Sequence, residues 1–431
     1  MYGHCQNANM PKSKPNKVQE FQRKIYLKAK QNPNYRFYAL YDKVYRKDIL
    51  KEDWERVKRN RGGSGIDGMT IKEVNQYPSE KYLEEIAKEL KTRTYRPKPL
   101  REVLIPKLNG KKRALRIPTI KDRIVQQATK IVIEPIFEAD FQPTSYGFRP
   151  KQSAQMAIKR LNEIIHRTNK RKVIDLDLKN FFDTIPHKKL IHLIVKRIVD
   201  RGIINLIKMW LKADILTETG INRNFITGTP QGGVISPLLA NIYLNQLDKF
   251  WEKIKEKFHN TEFIRYADDI VILCSEKANA YFRLLEKILV KMSLSLNQDK
   301  TSILDLEKQS LDFLGFNLRR TNSRKTDNRY TRVTPSKKAI QTLKDKVKII
   351  TYRGNKQPIQ DVITRINISA KGWRNYYNIG YQSESFTKVN DFLRCRVRKF
   401  LKRRKNKAGQ GWKEYNYDFL YKKLGLYQLK V

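Results

Sequence analysis

The chain has 431 residues and carries 90 Lys and Arg against 43 Asp and Glu, a formal net charge of +47. An excess this large, spread along the chain, repels itself unless a polyanion is the partner, which points to nucleic acid. A hydrophobic content of 40% and an aromatic content of 10% exclude a disordered basic tail and allow a sizeable core. Cys5, Cys274 and Cys395 are widely separated and show no paired C-x-x-C spacing, which argues against a disulfide framework or a structural zinc site and fits a reducing compartment.

The opening residues, MYGHCQNANMPKSKPNKVQE, show no apolar export segment, and no apolar run in the chain is long enough to span a bilayer. The bacterial cytoplasm or an organelle matrix, with no membrane partner, is the expected location. Residues 1–34 are expected to be a flexible basic segment, frayed to about Asn16, although a helical pattern sets in at Val18 and lasts to Val57. Tyr35, Phe37, Tyr38, Leu40, Tyr41, Val44 and Tyr45 lie amid Lys and Arg. They suit a packed helix pair, or a surface that stacks on RNA.

Arg61 to Met69 is a Gly-rich loop without the phosphate-loop signature. A helix is expected from Lys81 to Thr92, then two strands, Arg101–Lys107 and Arg113–Pro118, around Asn109-Gly110. A further helix runs from Ile120 to Phe137. The alternation in Lys172–Lys179 reads as a half-buried strand, with a helix beginning near Pro186. The loop Gly228–Pro237 feeds a helix to about Trp251.

Phe263 to Cys274 is apolar, aromatic or β-branched except at its centre, where Asp268 and Asp269 are adjacent. Neighbouring strand residues point to opposite faces, so the two carboxylates share one space only if a tight turn falls between them. The stretch reads as a metal-holding hairpin tip, or as a solvated turn rich in a common turn residue. A helix from Ala278 to Leu294 follows, then a strand from Leu311 to Leu318. Beyond it the β pattern stops. The polar link Arg319–Arg332 is the clearest expected domain boundary, and Pro335 to Lys405 is helical in pattern.

Taken in order, these stretches carry a resemblance. IPKLNGKKRALRIPTIKDRIVQQATK with YGFRP, DLDLKNFFDTIPHKKL, TPQGGVISPLLANIYLNQLD, FIRYADDIVIL, LNQDKT and LDFLGF resemble the reverse transcriptase of group II intron-encoded proteins. GWRNYYN, at 372–378, resembles the signature of their maturase domain. The resemblance runs from about residue 35 onward. It implies a right-hand polymerase, with α/β fingers and palm over 35–325 and an antiparallel palm sheet. An all-α thumb or maturase domain over 333–405 and a basic C-terminal tail over 406–431 complete the expected layout.

The implied activity is RNA-directed DNA polymerisation, joined to binding of the intron RNA for splicing and mobility. The implied partners are that RNA, an RNA template with a DNA primer, dNTPs and a DNA target site. Asp177, Asp268 and Asp269 match the metal-binding aspartates, with Asp268 the direct ligand and Asp269 its support. They would hold two Mg2+ ions, for which Mn2+ can substitute. Lys300 matches the lysine that protonates leaving pyrophosphate.

Lys107 and Arg113 match residues that grip the triphosphate. Phe182 matches the steric gate against a 2′-hydroxyl, and Gln231 with Gly232 and Gly233 match the loop beside the incoming base. Asp175 and Asp183 match no ligand and are expected to be structural. Arg374, Tyr376, Tyr377, Arg398, Arg403 and Arg404 are expected to touch RNA, whereas Trp373 is expected to pack the thumb. No His, Asn and paired Cys set follows Cys395, so the resemblance also implies that second-strand cleavage comes from elsewhere. A domesticated reverse transcriptase of phage defence or a retron, and a splicing cofactor without polymerase activity, remain as alternatives.

Overall fold

The computed structural model describes residues 16–431 apart from 77–78, 107–109, 111, 169, 219, 223–225, 259–260, 323–328, 407 and 410. The chain begins with helices α1 (Lys17–Gln31), α2 (Tyr41–Val44), α3 (Lys47–Arg59), α4 (Ile71–Gln76) and α5 (Ser79–Lys91). Strands β1 (Leu100–Pro106) and β2 (Lys112–Ile117) then lead into α6 (Ile120–Glu138) and α7 (Ala154–Arg167). Next come β3 (Lys172–Asp177), α8 (Phe181–Thr184), α9 (His187–Val195), α10 (Arg201–Leu211), β4 (Ile215–Thr217), β5 (Gly220–Asn222) and α11 (Ser236–Phe258). After β6 (Thr261–Tyr266), β7 (Asp269–Cys274) and α12 (Ala278–Lys291), the chain forms β8 (Ser302–Asp305), β9 (Leu311–Phe313), β10 (Phe316–Asn322) and β11 (Arg329–Pro335). It closes with α13 (Lys337–Ile350), α14 (Ile359–Tyr376) and α15 (Ser383–Arg404).

The chain divides into two compact units. The first comprises 1–149, 178–251 and 286–296, and the second 150–177, 252–285 and 297–431. In the first unit α6 is the core. Ile120, Ile124, Val125, Ala128, Ile131, Val132 and Ile136 are all fully buried, because α1, α2 and α3 pack around it. Thr119 caps its start by accepting from the Asp122 N–H.

Residues 17–31 are not the flexible segment expected of residues 1–34. Asn16 and Gln19 form a capping box at the head of α1, and Gln22 Nε2 donates to the Ile131 carbonyl of α6 at 3.0 Å. The aromatic run that follows is divided: Phe37, Leu40 and Val44 are buried, whereas Tyr38 is exposed. The expected hairpin forms, with β1 and β2 antiparallel, and β4 and β5 extend the sheet in the order β2-β1-β4-β5. Its turn, with Lys107 and Asn109, lies outside the described residues.

The second unit holds an antiparallel sheet in the order β6-β7-β3-β8, with fully buried Ile264, Val271, Ile272, Leu273 and Ile174. Here the link Arg319–Arg332 differs from expectation. It is no boundary: β10 and β11 pair antiparallel across it, from Phe316↔Pro335 to Asn322↔Arg329. Apolar alternation survives as Leu318 and Val333 on one face, which the dense arginines conceal in sequence.

The C-terminal helices form a bundle around Val347, Val362, Ile366, Val389, Leu393 and Val397. The final stretch, expected as a basic tail, belongs to this core. Tyr415, Leu420, Leu426 and Leu429 are buried in it, and Asn390 exchanges hydrogen bonds with the Leu429 backbone at 2.9 and 3.0 Å. Among the described residues no helix is long and apolar enough to cross a membrane.

Asp53, on α3, is fully buried, and among the described residues neither carboxyl oxygen has a hydrogen-bond partner. Burial pushes its pKa well above the usual carboxylate range, against the pull of Arg56 and with repulsion from Glu52. Folding therefore raises this pKa. The group costs least below about pH 4, where folded and unfolded chains both hold the proton, and progressively more as pH rises. Asp53→Leu is expected to stabilise the protein by about 1–3 kcal/mol, the scale of an unsatisfied buried polar group. Thermal unfolding should show a larger gain at pH 7.5 than at pH 5; a loss at both would show that the carboxyl is satisfied in solution.

Candidate active site

The adjacent aspartates sit where β6 turns into β7. The loop is two residues, Ala267 and Asp268, with Ala267 at φ 58°, a left-handed conformation that a residue with a Cβ rarely adopts. Arg265, fully buried beneath it, donates from Nη1 to the Ala267 carbonyl at 3.0 Å and so helps to hold the turn. The turn does not fall between the two aspartates. Asp268 occupies it, and Asp269 is the first residue of β7.

Register supplies the rest of the cluster. In the antiparallel β3–β7 pair, Asp177 stands directly opposite Asp269 and Asp175 opposite Val271. Residues directly opposite and residues two apart share a face, so Asp175, Asp177 and Asp269 line one side of the sheet next to the turn that carries Asp268. Close packing and the charges of Asp268, Asp177 and Asp175 raise the Asp269 pKa to about 7, with Lys300 opposing them. Asp175 is raised to about 6, first by burial and then by Asp177 and Asp312. Expected to be only structural, Asp175 belongs to the carboxylate face. Its alternation with Asp177 in VIDLD was the available signal.

Asp177 is already partnered. Its Oδ2 accepts from Asn297 Nδ2 at 2.9 Å and from Lys300 Nζ at 3.0 Å, and its backbone carbonyl accepts from the Asn297 N–H. Lys300 thus reaches the carboxylates. Asn297 was overlooked, although it opens the same Asn-Gln-Asp-Lys stretch. Among the described residues no three acids, histidines or cysteines are spaced to enclose a metal ion. The donor type nevertheless fits a hard divalent cation, since like-charged carboxylates crowded until one holds a proton to about pH 7 need a counter-charge.

The first unit gathers a second group. Gln231 accepts from Arg113 Nε at 2.8 Å through Oε1, donates to Asp183 Oδ2 at 3.4 Å, and takes the Arg116 N–H on its carbonyl at 2.7 Å. Arg116 also pairs with Asp183 at 2.9 Å and with Glu102 at 3.4 Å. Gly232, at φ 115°, lies where a Cβ would come within 2.5 Å of the Arg116 carbonyl, so only glycine lets the loop touch β2. Asp183 and Arg116 therefore brace the Gln231 loop, a role that local sequence does not signal because their contacts are distant in the chain. Phe182 packs edge-on to Phe148 and Phe181, and its carbonyl accepts the Thr229 N–H at 2.6 Å.

Several expected RNA contacts are structural. Tyr377 is buried against Phe316 and Trp373 with ring centroids 4.9 and 4.7 Å apart, and Gly315 stands where a Cβ would strike its hydroxyl. Half-buried Tyr376 stacks on Phe316 and donates to the Leu314 carbonyl at 3.1 Å. Arg398 is buried, donates to the Tyr415 carbonyl at 2.8 Å and lies 4.0 Å from the Trp412 ring centroid. It fastens the C-terminal stretch rather than meeting a phosphate. Arg374 donates to the Lys430 carbonyl at 3.1 Å, exposed Arg404 bonds the Gln357 carbonyl, and Arg403 is exposed. Trp373 packs in the bundle as expected, with Nε1 donating to Ala339.

Residues 105–318 match the family described as reverse transcriptase (RNA-dependent DNA polymerase), and residues 340–417 match the group II intron maturase-specific domain. Protein YkfC of Escherichia coli (strain K12) is 33% identical over 359 residues, covering 75% of this chain and 93% of that protein. The group II intron-encoded protein LtrA of Lactococcus lactis subsp. cremoris is 32% identical over 354 residues, covering 81% of this chain and 57% of its own length. An uncharacterized 91 kDa protein in the cob intron of Schizosaccharomyces pombe is 36% identical over 245 residues, covering 53% of this chain and 28% of that protein. Two consecutive domain matches in this order, with the carboxylate hairpin inside the first, show that the chain belongs to the family of group II intron-encoded reverse transcriptases and maturases.

Proposed function

We propose that the protein is an RNA-directed DNA polymerase that also binds its parent intron RNA to assist splicing and mobility. The observation that carries this reading is the β3–β7 register, which sets Asp177 opposite Asp269 beside the Asp268 turn. Both alternatives, a non-catalytic splicing cofactor and a defence or retron enzyme, fit less well. A carboxylate face under mutual repulsion is a cost without a cation to balance it, and the maturase-specific match argues for an intron partner.

In this reading the α/β part forms the fingers and palm of a right-hand polymerase, and the helical bundle forms its thumb. Asp177, Asp268 and Asp269 would hold two Mg2+ ions, for which Mn2+ can substitute. Bound metal supplies charge neutralisation at the transferring phosphate and activation of the primer hydroxyl. Lys300 exchanges its contact with Asp177 for the leaving pyrophosphate and gives it a proton. Lys107 and Arg113 bind the dNTP phosphates, Arg113 through a guanidinium suited to bidentate contact. Gln231 and Gly232 line the base and template, and the Phe182 ring collides with a 2′-hydroxyl. The substrates are dNTPs on an RNA template with a DNA primer, and the wider partners are the intron RNA and a DNA target site. Arg403, exposed near the end of α15, remains available to RNA, and Arg404 would have to exchange its Gln357 contact to join it.

Asp268→Ala is expected to abolish primer extension on an RNA template while intron-RNA affinity stays within about twofold, because the phosphate contacts that dominate affinity lie elsewhere. Comparable losses of both activities would count against a separate metal site. Phe182→Ala is expected to raise ribonucleotide incorporation at least tenfold relative to dNTP, the effect of losing about 1.4 kcal/mol of discrimination. Single-nucleotide extension with each triphosphate measures this, and an unchanged ratio removes the gate assignment.

A further inference from the structure

A second basic feature of the first unit is not used by the polymerase site. It is a cavity of about 660 Å3, open to solvent, walled by Tyr41 and by Arg93, Arg96, Lys208 and Lys212. One acid, Asp214, also lines it and is itself engaged. None of the four cations is ion-paired among the described residues. Four positive groups brought together against one committed acid repel one another, and the concave wall between them focuses a positive potential.

The wall is held in place before any ligand arrives. Tyr95, 2% exposed, donates to Asp122 Oδ1 at 2.6 Å and accepts from Trp210 Nε1 at 3.1 Å, tying the Arg93–Arg96 segment to α6 and α10. Asp122 also accepts from Thr119 Oγ1 at 2.7 Å, so this buried network is well satisfied. Arg93 turns the chain out of α5 at φ 61°, and Arg96 Nη1 donates to the Arg93 carbonyl at 3.0 Å. On the facing side, Asp200 accepts the Leu40 and Tyr41 N–H groups at 2.8 and 2.9 Å and that of Gly202 at 2.8 Å. The Tyr41 ring lies against α10 where a Cβ on Gly202 would come within 2.5 Å. Lys208 and Lys212, one turn apart on the α10 side, project from the same ridge. Preorganised cations beside an aromatic ring form the arrangement that grips phosphates while a base stacks.

We propose that this cavity binds two or three consecutive phosphates of an RNA strand, with a nucleobase against Tyr41. This rests on the reading of the protein as an intron-RNA binder, and adds a fixed anchoring point to it. Four cations exceed what a nucleoside monophosphate needs, and a cavity open to solvent lets a strand enter and leave.

The test is the triple variant Arg93→Gln/Lys208→Gln/Lys212→Gln in the full chain. The charge-matched control is Lys72→Gln/Lys287→Gln/Lys291→Gln, at exposed positions outside the cavity. Affinity for a single-stranded oligouridylate is measured over a series of KCl concentrations. The slope of log affinity against log salt is expected to fall by about 1.4–2.1 in the cavity variant, about 0.7 for each lost phosphate, and by less than half of that in the control. If the cavity variant melts early, Lys208→Gln/Lys212→Gln, both exposed, should lower the slope by about 0.7–1.4. Equal slopes for cavity variant, control and wild type overturn the site while leaving RNA binding intact. A wild type whose RNA affinity ignores salt overturns the RNA-binding reading itself. Loss of tripolyphosphate binding without loss of RNA binding assigns the cavity to a free polyphosphate and overturns the strand proposal.

Discussion

Repulsion between carboxylates is the constraint that the catalytic half of this molecule is built around. Asp175, Asp177 and Asp269 share one face of a sheet that also buries Ile174, Ile264, Val271, Ile272 and Leu273, with Asp268 in the adjoining turn. Such a group destabilises a fold unless cations answer it. The protein supplies Lys300 directly to Asp177 and buries Arg265 under the turn. In the proposed reading, that cost leaves a set of hard oxygen donors for a divalent cation. Lys300 is held mainly by charge and is well exposed, so it can leave Asp177 when another cation or a phosphate competes.

The opposite problem governs the first unit, where cations outnumber acids. Part of the excess is absorbed by fixed pairs such as Arg116 with Asp183, which brace the Gln231 loop against β2. The remainder faces solvent at prepared positions. Paired arginines thus set the shape of loops, whereas Arg93, Arg96, Lys208 and Lys212 line an open cavity. Arg398 shows how far the first use can go, since it lies in the bundle beneath an indole and serves only to fasten a backbone carbonyl.

How much of this was legible in the sequence depends on the range of the interaction. The β1–β2 and β6–β7 hairpins, the long helices and the carboxylate pair were readable because period, turn residues and adjacency are local. The partnership of Asp177 with Asp269 was anticipated by resemblance, but the cross-strand register and the membership of Asp175 needed pairing between distant segments. The β10–β11 hairpin was missed because arginines on its exposed face obscure the alternation of Leu318 and Val333. Tyr376 and Tyr377 look in sequence like stacking residues. Their burial is decided by Phe316 and Gly315, some sixty positions earlier, which no local pattern reveals.

The C-terminal stretch that fills the bundle gives folding an order in time. Leu420, Leu426 and Leu429 complete a core whose other walls, Val347, Ile366 and Leu393, are made much earlier on the ribosome. Without those residues the walls would form an open apolar trough. A premature stop before Leu420 would leave the β-sheets and their carboxylates already made, attached to a bundle that cannot close.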